Sequence, residues 1–362
     1  MYQPFPVITI EGDAFECGVQ HGEQAADRVA RTVDFYLGVF GRHSKLTLDE
    51  VRARAREFLQ QIESIDTAIV AELKGIAQGA HQELEDIVAV NCRTELMYGS
   101  SRGSRAATEC TTVIALPAAT ANKGVIVGKN WDWRSPALEA VVLLRIRQKD
   151  KPALSLMVEA GMVGRDGFNE HGIAVCGNML TSSADRGKAG VPIPILRRRM
   201  LNARHYYEAI DILTRSARGA SGNYVLAHRD GVAIDFETTP DHVYPVYPQR
   251  GLLTHSNHFQ SVVAQTQGVG HSYNGDSLYR DFRARELLEP KIGAITVGDV
   301  MAVLRDHFGA PRAICRAPHE YPGQGPTMTI ASVVFDLQNR VMHVAPGEPC
   351  QSDYQAVHLP GA

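Results

Sequence analysis

The chain has 362 residues, 44% hydrophobic and 21% charged, with a net charge of −3. Its length suits one large domain or two ordinary ones. The charge balance leaves no footprint for nucleic acid or an anionic membrane surface, so neither is expected as a partner.

The opening residues, MYQPFPVITIEGDAFECG, have no basic stretch followed by a long apolar one, and do not read as a signal peptide. No apolar run reaches bilayer-spanning length. A cytoplasmic protein is the resulting expectation. From about Glu11 to Tyr98 the pattern is helical. Phe15, Val19, Ala26, Val29, Val33, Leu37 and Phe40 recur at three- and four-residue steps, an amphipathic stripe. Gly18 and Gly22 fall on one face of that helix, where small residues permit close approach of a neighbour. Thr47 and Glu50 carry the T-x-x-E pattern of a capping box. Two more helices are predicted in DTAIVAELKGIAQGA and ELEDIVAVNCRTELM.

GSSRGSRAAT, residues 99–108, is the most linker-like stretch of the chain. After it the pattern changes to short strands: TTVIALP, GVIVGKNW, AVVLLRIRQ and ALSLMVEAG, then GFNEHGIAVCGNML. One or two helices follow in ILRRRMLNARHYYEAIDILTRSA. NYVLAHRDGVAIDFET reads as a hairpin turning at Asp230-Gly231, and GLLTHSNHF as a strand. DSLYRDFRARELLEP and TVGDVMAVLRDHFG are helical, and TIASVVFDLQNRVMHVAPG is a final hairpin. Strands in two blocks, with helices before and between, make an α+β protein rather than a regular βαβ one. Two stacked sheets covered by helices suit that order.

Cys17, Cys92, Cys110, Cys176, Cys315 and Cys350 are scattered, with no C-x-x-C. That pattern argues against a zinc ribbon or a compact disulfide framework. Most should be buried thiols acting as small apolar residues. Cys110 differs, because it stands where the linker enters a strand. Cutting one peptide bond there would expose an N-terminal cysteine, with a thiol and an α-amine on adjacent carbons. The amine has an intrinsic pKa of about 8 and can act as a general base. The thiol is intrinsically a strong nucleophile.

GKNWDW follows, with both tryptophans of the chain. On a strand Asn130 and Asp132 share one face, and Lys129, Trp131 and Trp133 the other. Two polar side chains on one face either line a polar site or meet solvent. In THSNHF, no carboxylate or cysteine stands near His255 and His258 at metal-ligand spacing, and Asn257 could donate an amide N–H to an oxyanion. Arg280, Arg283 and Arg285 lie on one predicted helix, the latter two read as a solvated basic face.

In this order the motifs resemble the acyl-CoA:6-aminopenicillanate acyltransferase family, self-processing cysteine members of the N-terminal-nucleophile hydrolases. The resemblance runs through ECGVQHGEQAA, CTTVIA, GKNWDW, GFNEHGIAV, THSNHF, SLYR and SVVFDL with VAPGEPC, nearly the whole chain. It implies an αββα sandwich and a precursor cut between Glu109 and Cys110. The products would be a mainly helical segment 1–109 and a catalytic segment 110–362, held together as one compact domain, with a higher oligomer open. The family nucleophile matches Cys110, its motif aspartate Asp132, its oxyanion asparagine Asn257 and an arginine near the nucleophile Arg280. Asn130, Trp131, Trp133 and His255 are the candidate substrate-binding residues. Glu109 is a departure, since the best-known members have glycine there.

The expected chemistry moves an acyl group from a small-molecule amide or acyl-CoA to water or an amine through an acyl-cysteine. It requires no metal or redox cofactor. Two alternatives stand beside it: a Cys110–histidine hydrolase using His255 or His258 without chain cleavage, and a binding protein on the same scaffold that never matures.

Overall fold

The computed structural model describes residues 2–98, 109–185, 190–267, 275–321 and 325–361. The linker 99–108 lies outside the described residues. The chain opens with a strand that the sequence pattern did not separate from the helices, β1 (Val7–Gly12). The expected amphipathic stripe is divided between α1 (Ala14–Gln24) and α2 (Ala26–Val39), which meet at Ala25. Next come α3 (Leu48–Ile65), α4 (Thr67–Gly79), α5 (Leu84–Asn91) and α6 (Arg93–Tyr98). Thr47 caps α3 as expected: its hydroxyl accepts from the Glu50 amide, and the Glu50 carboxylate accepts from the Thr47 amide.

The strands β2 (Glu109–Ala115), β3 (Ile126–Arg134), β4 (Val141–Gln148), β5 (Leu154–Glu159), β6 (Asp166–Asn169) and β7 (Ile173–Cys176) come next. The long helical pattern after them breaks into α7 (Ile193–Leu201) and α8 (Tyr206–Arg215). The Asp230-Gly231 hairpin joins β8 (Gly222–His228) to β9 (Val232–Thr238), and Gly231 supplies the positive φ of its turn. Then follow β10 (Val243–Val246), β11 (Leu252–His255), the short α9 (Val262–Thr266), α10 (Asp276–Leu288) and α11 (Val297–Leu304). The tail forms β12 (His319–Tyr321), β13 (Gly325–Asp336), β14 (Val341–Pro346) and β15 (Gln355–His358).

These strands make two sheets. One has eight strands in the order β1-β4-β5-β6-β7-β8-β9-β10, and β1 joins it parallel to β4. The other runs β11-β2-β3-β13-β14-β15, with β12 paired to β13. Alternation along β2 and β3 sorts side chains to two buried faces. Ile114, Val127, Trp131 and Phe335 pack inward with Leu156, Phe168 and Val175 of the other sheet. Val113, Ala115, Ile126 and Val334 pack outward under α10 and α11, with Ala284, Leu288, Val300 and Leu304. Helices α1, α2, α7 and α8 lie on the other sheet, and α3, α4 and α5 pack on those helices. The architecture is the α+β, αββα sandwich that the motif order implied. Among the described residues no helix is long and apolar enough to cross a membrane.

The Gly18 and Gly22 pair does what its spacing suggested. Helix α1 lies against α4 so closely that a Cβ on Gly18 would sit 2.1 Å from the Glu72 carbonyl oxygen, and one on Gly22 2.6 Å from the Ala80 nitrogen. Gly75 and Gly79 return the contact from α4. Backbone atoms cannot move aside as a side chain can, so Gly18→Ala should lower unfolding stability by about 1–3 kcal/mol, the usual cost of overpacking. Gly38→Ala is the control. Its added methyl meets only the end of the Arg42 side chain, and a helix gains about 1 kcal/mol from the replacement. Urea denaturation of the two variants checks the difference, and equal midpoints would show that the α1–α4 contact carries no weight.

Candidate active site

Cys110 lies on the inward face of β2, directly opposite Trp131 of β3, and is 4% exposed. Its backbone is held from the α10 side. The Cys110 amide donates to Asn257 Oδ1 at 2.8 Å, and Arg280 Nη1 donates to the Cys110 carbonyl at 2.7 Å. Arg280 Nη2 also donates to Asn257 Oδ1 at 3.0 Å. Two donors converging on one atom fix which end of the Asn257 amide is oxygen. The Asn257 amide nitrogen donates to the Met179 carbonyl at 2.9 Å, and Ser277 Oγ accepts from the Asn257 backbone at 2.7 Å.

Arg280 is fully buried and belongs to a larger charge network. Its Nε donates to Asp276 Oδ2 at 3.1 Å, one helical turn earlier on α10. The same oxygen receives Arg316 Nη2 at 2.6 Å. Arg316 Nε in turn stands 3.6 Å from Asp132 Oδ2. A chain of opposite charges therefore runs from the Cys110 carbonyl through Arg280, Asp276 and Arg316 to Asp132. Sequence reasoning missed Asp276 and Arg316. Arg316 falls in AICRAP, which offers no periodic pattern, and only the fold brings it beside β3.

Asp132 sits across the strand pair from Glu109, the residue before Cys110. Its Oδ1 accepts from the Thr329 hydroxyl at 2.5 Å, beside an irregularity in β13 at Thr329–Ala331. Burial pushes its carboxyl up to about 7, against the pull of Arg280, Thr329 and Lys129 and with the help of Asp276. Burial raises the carboxyls of Glu95 and Asp235 to about the same value, so it is the position of Asp132 beside the Cys110 strand, more than its shift, that sets it apart.

A cleft opens inward of β2 and β3. Cys110, Trp131, Asp132 and Trp133 line it together with Asn178, Arg165 and Tyr224. Arg165 lies over the Trp131 ring, 3.3 Å from its centre. Trp133 Nε1 donates to the Tyr36 hydroxyl of α2 at 3.0 Å, which locks the ring. Deeper in, Lys129 bridges the sheets to Asp166 at 2.8 Å. Asn178 was not foreseen; its Oδ1 accepts from Thr112 at 2.7 Å and its Nδ2 donates to the His255 carbonyl at 3.0 Å.

The strand faces are those expected from alternation, but two candidate substrate contacts need correcting. Asn130 is not among the cleft-lining residues, although Asp132, two residues on and opposite the irregularity in β13, is. The Asn130 amide donates to the carbonyls of Leu304 and Ile314 at 2.7 and 2.8 Å. His255 does not line the cleft either. It is fully buried, with Nε2 against Glu237 at 2.9 Å and Nδ1 against the Ser256 carbonyl at 2.8 Å. Burial alone would lower its pKa, yet Asp235 and Glu237 outweigh it and raise the ring to about 9. An imidazolium with both nitrogens engaged cannot act as a general base. Asn257 and Arg280 also stand behind Cys110 rather than in the cleft wall. The side chain of Glu109 lies outside the described residues.

A family model described as acyl-coenzyme A:6-aminopenicillanic acid acyl-transferase matches residues 119–351. The acyl-coenzyme A:6-aminopenicillanic-acid-acyltransferase 40 kDa form of Emericella nidulans is 30% identical over 349 residues, covering 96% of this chain and 94% of the relative. Similar solved structures include a Caenorhabditis elegans N-acylethanolamine-hydrolyzing acid amidase ortholog, at TM-score 0.46 and 15% identity over 69% of this chain and 100% of that one. Penicillin V acylase from Agrobacterium tumefaciens is another, at TM-score 0.45 and 16% identity over 66% of this chain and 83% of that one. With the matched residues spanning most of the chain and the relative aligned almost end to end, the chain belongs to the acyl-coenzyme A:6-aminopenicillanic acid acyl-transferase family.

Proposed function

We propose that this chain is a cysteine amide hydrolase or acyltransferase that activates itself by cleavage before Cys110. The observation that supports it most is the treatment of the Cys110 backbone. Its nitrogen is held by Asn257 and its carbonyl by Arg280, while its side chain faces a cleft. Backbone groups buried beyond the end of β11 need partners in any case; what supports the reading is that these partners are the asparagine and arginine of the motif order, and that the thiol faces a cleft. In the precursor, the Cys110 thiol attacks the Glu109 carbonyl carbon, and the acyl group passes from nitrogen to sulfur. Water then hydrolyses that thioester and leaves Cys110 with a free α-amine. Asn257 Oδ1, which now accepts from the Cys110 amide, would hold that amine in place.

In turnover, the thiol gives its proton to the α-amine and attacks the carbonyl of a small-molecule amide or acyl-CoA thioester. Asn257, once freed from Met179, and a backbone N–H stabilise the oxyanion. The leaving amine or thiol takes the proton, and an acyl-cysteine remains. Water or a second amine then accepts the acyl group. Asp132 supplies the adjustable charge near Cys110, and Arg316 is a fixed cation 3.6 Å from that carboxylate. The scheme uses no metal or redox cofactor, and we place it in the cytoplasm. The cleft offers about 60 Å³ to water, enough for several ordered waters.

The fragments should stay together. Segment 1–109 contributes β1 to the eight-stranded sheet, and its Tyr36 and Glu72 bond to Trp133 and Arg198 of the other fragment. The Cys–His alternative is weakened for His255 by its occupied, charged state, and for His258 by its absence from the cleft lining and its contact with the Ser277 hydroxyl at 2.8 Å. Three experiments bear on the proposal.

Intact mass and N-terminal sequencing of the purified protein should give two co-purifying fragments, the larger starting Cys-Thr-Thr. An intact chain that is fully active overturns the mechanism, and an intact chain inert to acyl-transfer reagents favours a binding protein.

Cys110→Ala should stay uncut and inactive. Cys110→Ser should cut slowly, because proximity offsets several kcal/mol of barrier. It should lose turnover far more, because a hydroxyl is scarcely ionised near neutrality. Normal hydrolysis by either variant would place the nucleophile elsewhere.

Asp132→Asn should lower maturation or turnover by about a hundredfold or more, within the usual range for acid–base groups. Asp132 holds its proton to about 7 when folded, against 3.8 for a free aspartate. The wild type should therefore lose stability as pH rises from about 4 to about 7, and the variant should not lose that part. Urea midpoints measured across that window should shift in favour of the variant. A pH-independent difference, with wild-type cleavage, would mean that Asp132 is only structural.

A further inference from the structure

Cys315 and Cys350 are far apart in the chain, yet their Sγ atoms lie 3.5 Å apart. His307 joins them. One ring nitrogen and the two sulfurs all fall within 4.8 Å of one another. Two thiols and an imidazole are a donor set that suits zinc. In tetrahedral zinc with Zn–S of about 2.3 Å and Zn–N of about 2.0 Å, two sulfurs stand about 3.8 Å apart and sulfur and nitrogen about 3.5 Å. The observed sulfur separation is near that value and far from the roughly 2.05 Å of a disulfide.

We propose that His307, Cys315 and Cys350 form a mononuclear zinc site, separate from Cys110. His307 and Cys315 flank the segment that follows α11, and Cys350 lies in the turn after β14. Cys315 is buried, Cys350 half-buried and His307 exposed. An ion therefore enters from the His307 side, and water completes its fourth position. Binding replaces the two thiol protons with Zn²⁺, releases both protons to solvent and leaves an electrically neutral centre. No electron is transferred.

The site would tie two parts of the chain that brace the catalytic strand. Ile314, next to Cys315, accepts a hydrogen bond from Asn130 of β3. Arg316, on its other side, reaches Asp276 and approaches Asp132. Zinc would thus act as a staple behind β3 and stabilise the fold by binding only the native state. Spacing along the chain gave no hint of it, because the ligands come from two distant segments.

The test uses purified full-length protein, stripped with chelator and kept reduced with a phosphine. Titration with Co²⁺ should give a thiolate-to-cobalt charge-transfer band that saturates at one equivalent and disappears when Zn²⁺ is added. Zn²⁺ should raise the melting temperature by several degrees. Cys350→Ser, at a half-buried position, should lose both the band and the shift while keeping the wild-type circular dichroism. His307→Ala should weaken binding at least about tenfold, and Cys110→Ala should leave it intact. The absence of a charge-transfer band while both thiols still react as free thiols overturns the proposal. So does a Zn²⁺ shift that persists in Cys350→Ser, or a Cys315–Cys350 disulfide whose reduced form takes no cobalt.

Discussion

One buried carboxylate organises the candidate site. Asp276, at the start of α10, receives Arg280 and Arg316 on a single oxygen, and Arg312 approaches the other at 2.7 Å. Guanidinium groups this deep need an anion nearby, since each lost hydration costs several kcal/mol. Asp276 answers that need for several at once and aims them at different targets. Arg280 takes hold of the Cys110 carbonyl and Asn257. Arg316 turns to Asp132. Removing Asp276 would leave these charges uncompensated in the interior, so the placement of Cys110 rests on α10 as much as on its own strand.

The same logic explains why two sheets stack over so polar an interior. Lys129 and Asp166 face each other across the gap, and Arg197 reaches the same carboxylate at 3.2 Å. Burial alone would raise the Asp166 carboxyl, but Lys129, Arg165 and Arg197 outweigh it and hold it below the usual carboxylate range. Around this pair the inward faces are apolar, led by Trp131, Phe168 and Phe335. The charged pair fixes how β3 lies over β6, whereas apolar packing alone would tolerate some sliding.

The segment before Cys110 is not an appendage. Strand β1 completes an edge of one sheet, and α1 locks onto α4 through four glycines. Tyr36 of α2 hydrogen-bonds both Trp133 and Glu159, so it connects the helical layer to the cleft wall and to β5. A cut at Glu109 would sever one bond in a core that both sides share.

Local pattern was enough to locate most elements and the candidate nucleophile. The capping box at Thr47, the Asp230-Gly231 turn, the close-packing glycines of α1 and the alternation along GKNWDW each depend on neighbours a few residues away. Sequence therefore showed them, and the change from helical to strand pattern after residue 108 marked Cys110. Tertiary structure decided which polar residues serve the site. Asn130 and Asp132 share a strand face, yet Asn130 is consumed by the carbonyls of Leu304 and Ile314 while Asp132 meets Arg316. His255, a candidate contact by sequence, is enclosed by Glu237 and Asp235. Asp276, Arg316 and Asn178 carry no local signature. Hydrogen-bond partners and buried charge are set by segments distant in sequence, and a side chain's role follows from those partners rather than from its place along the chain.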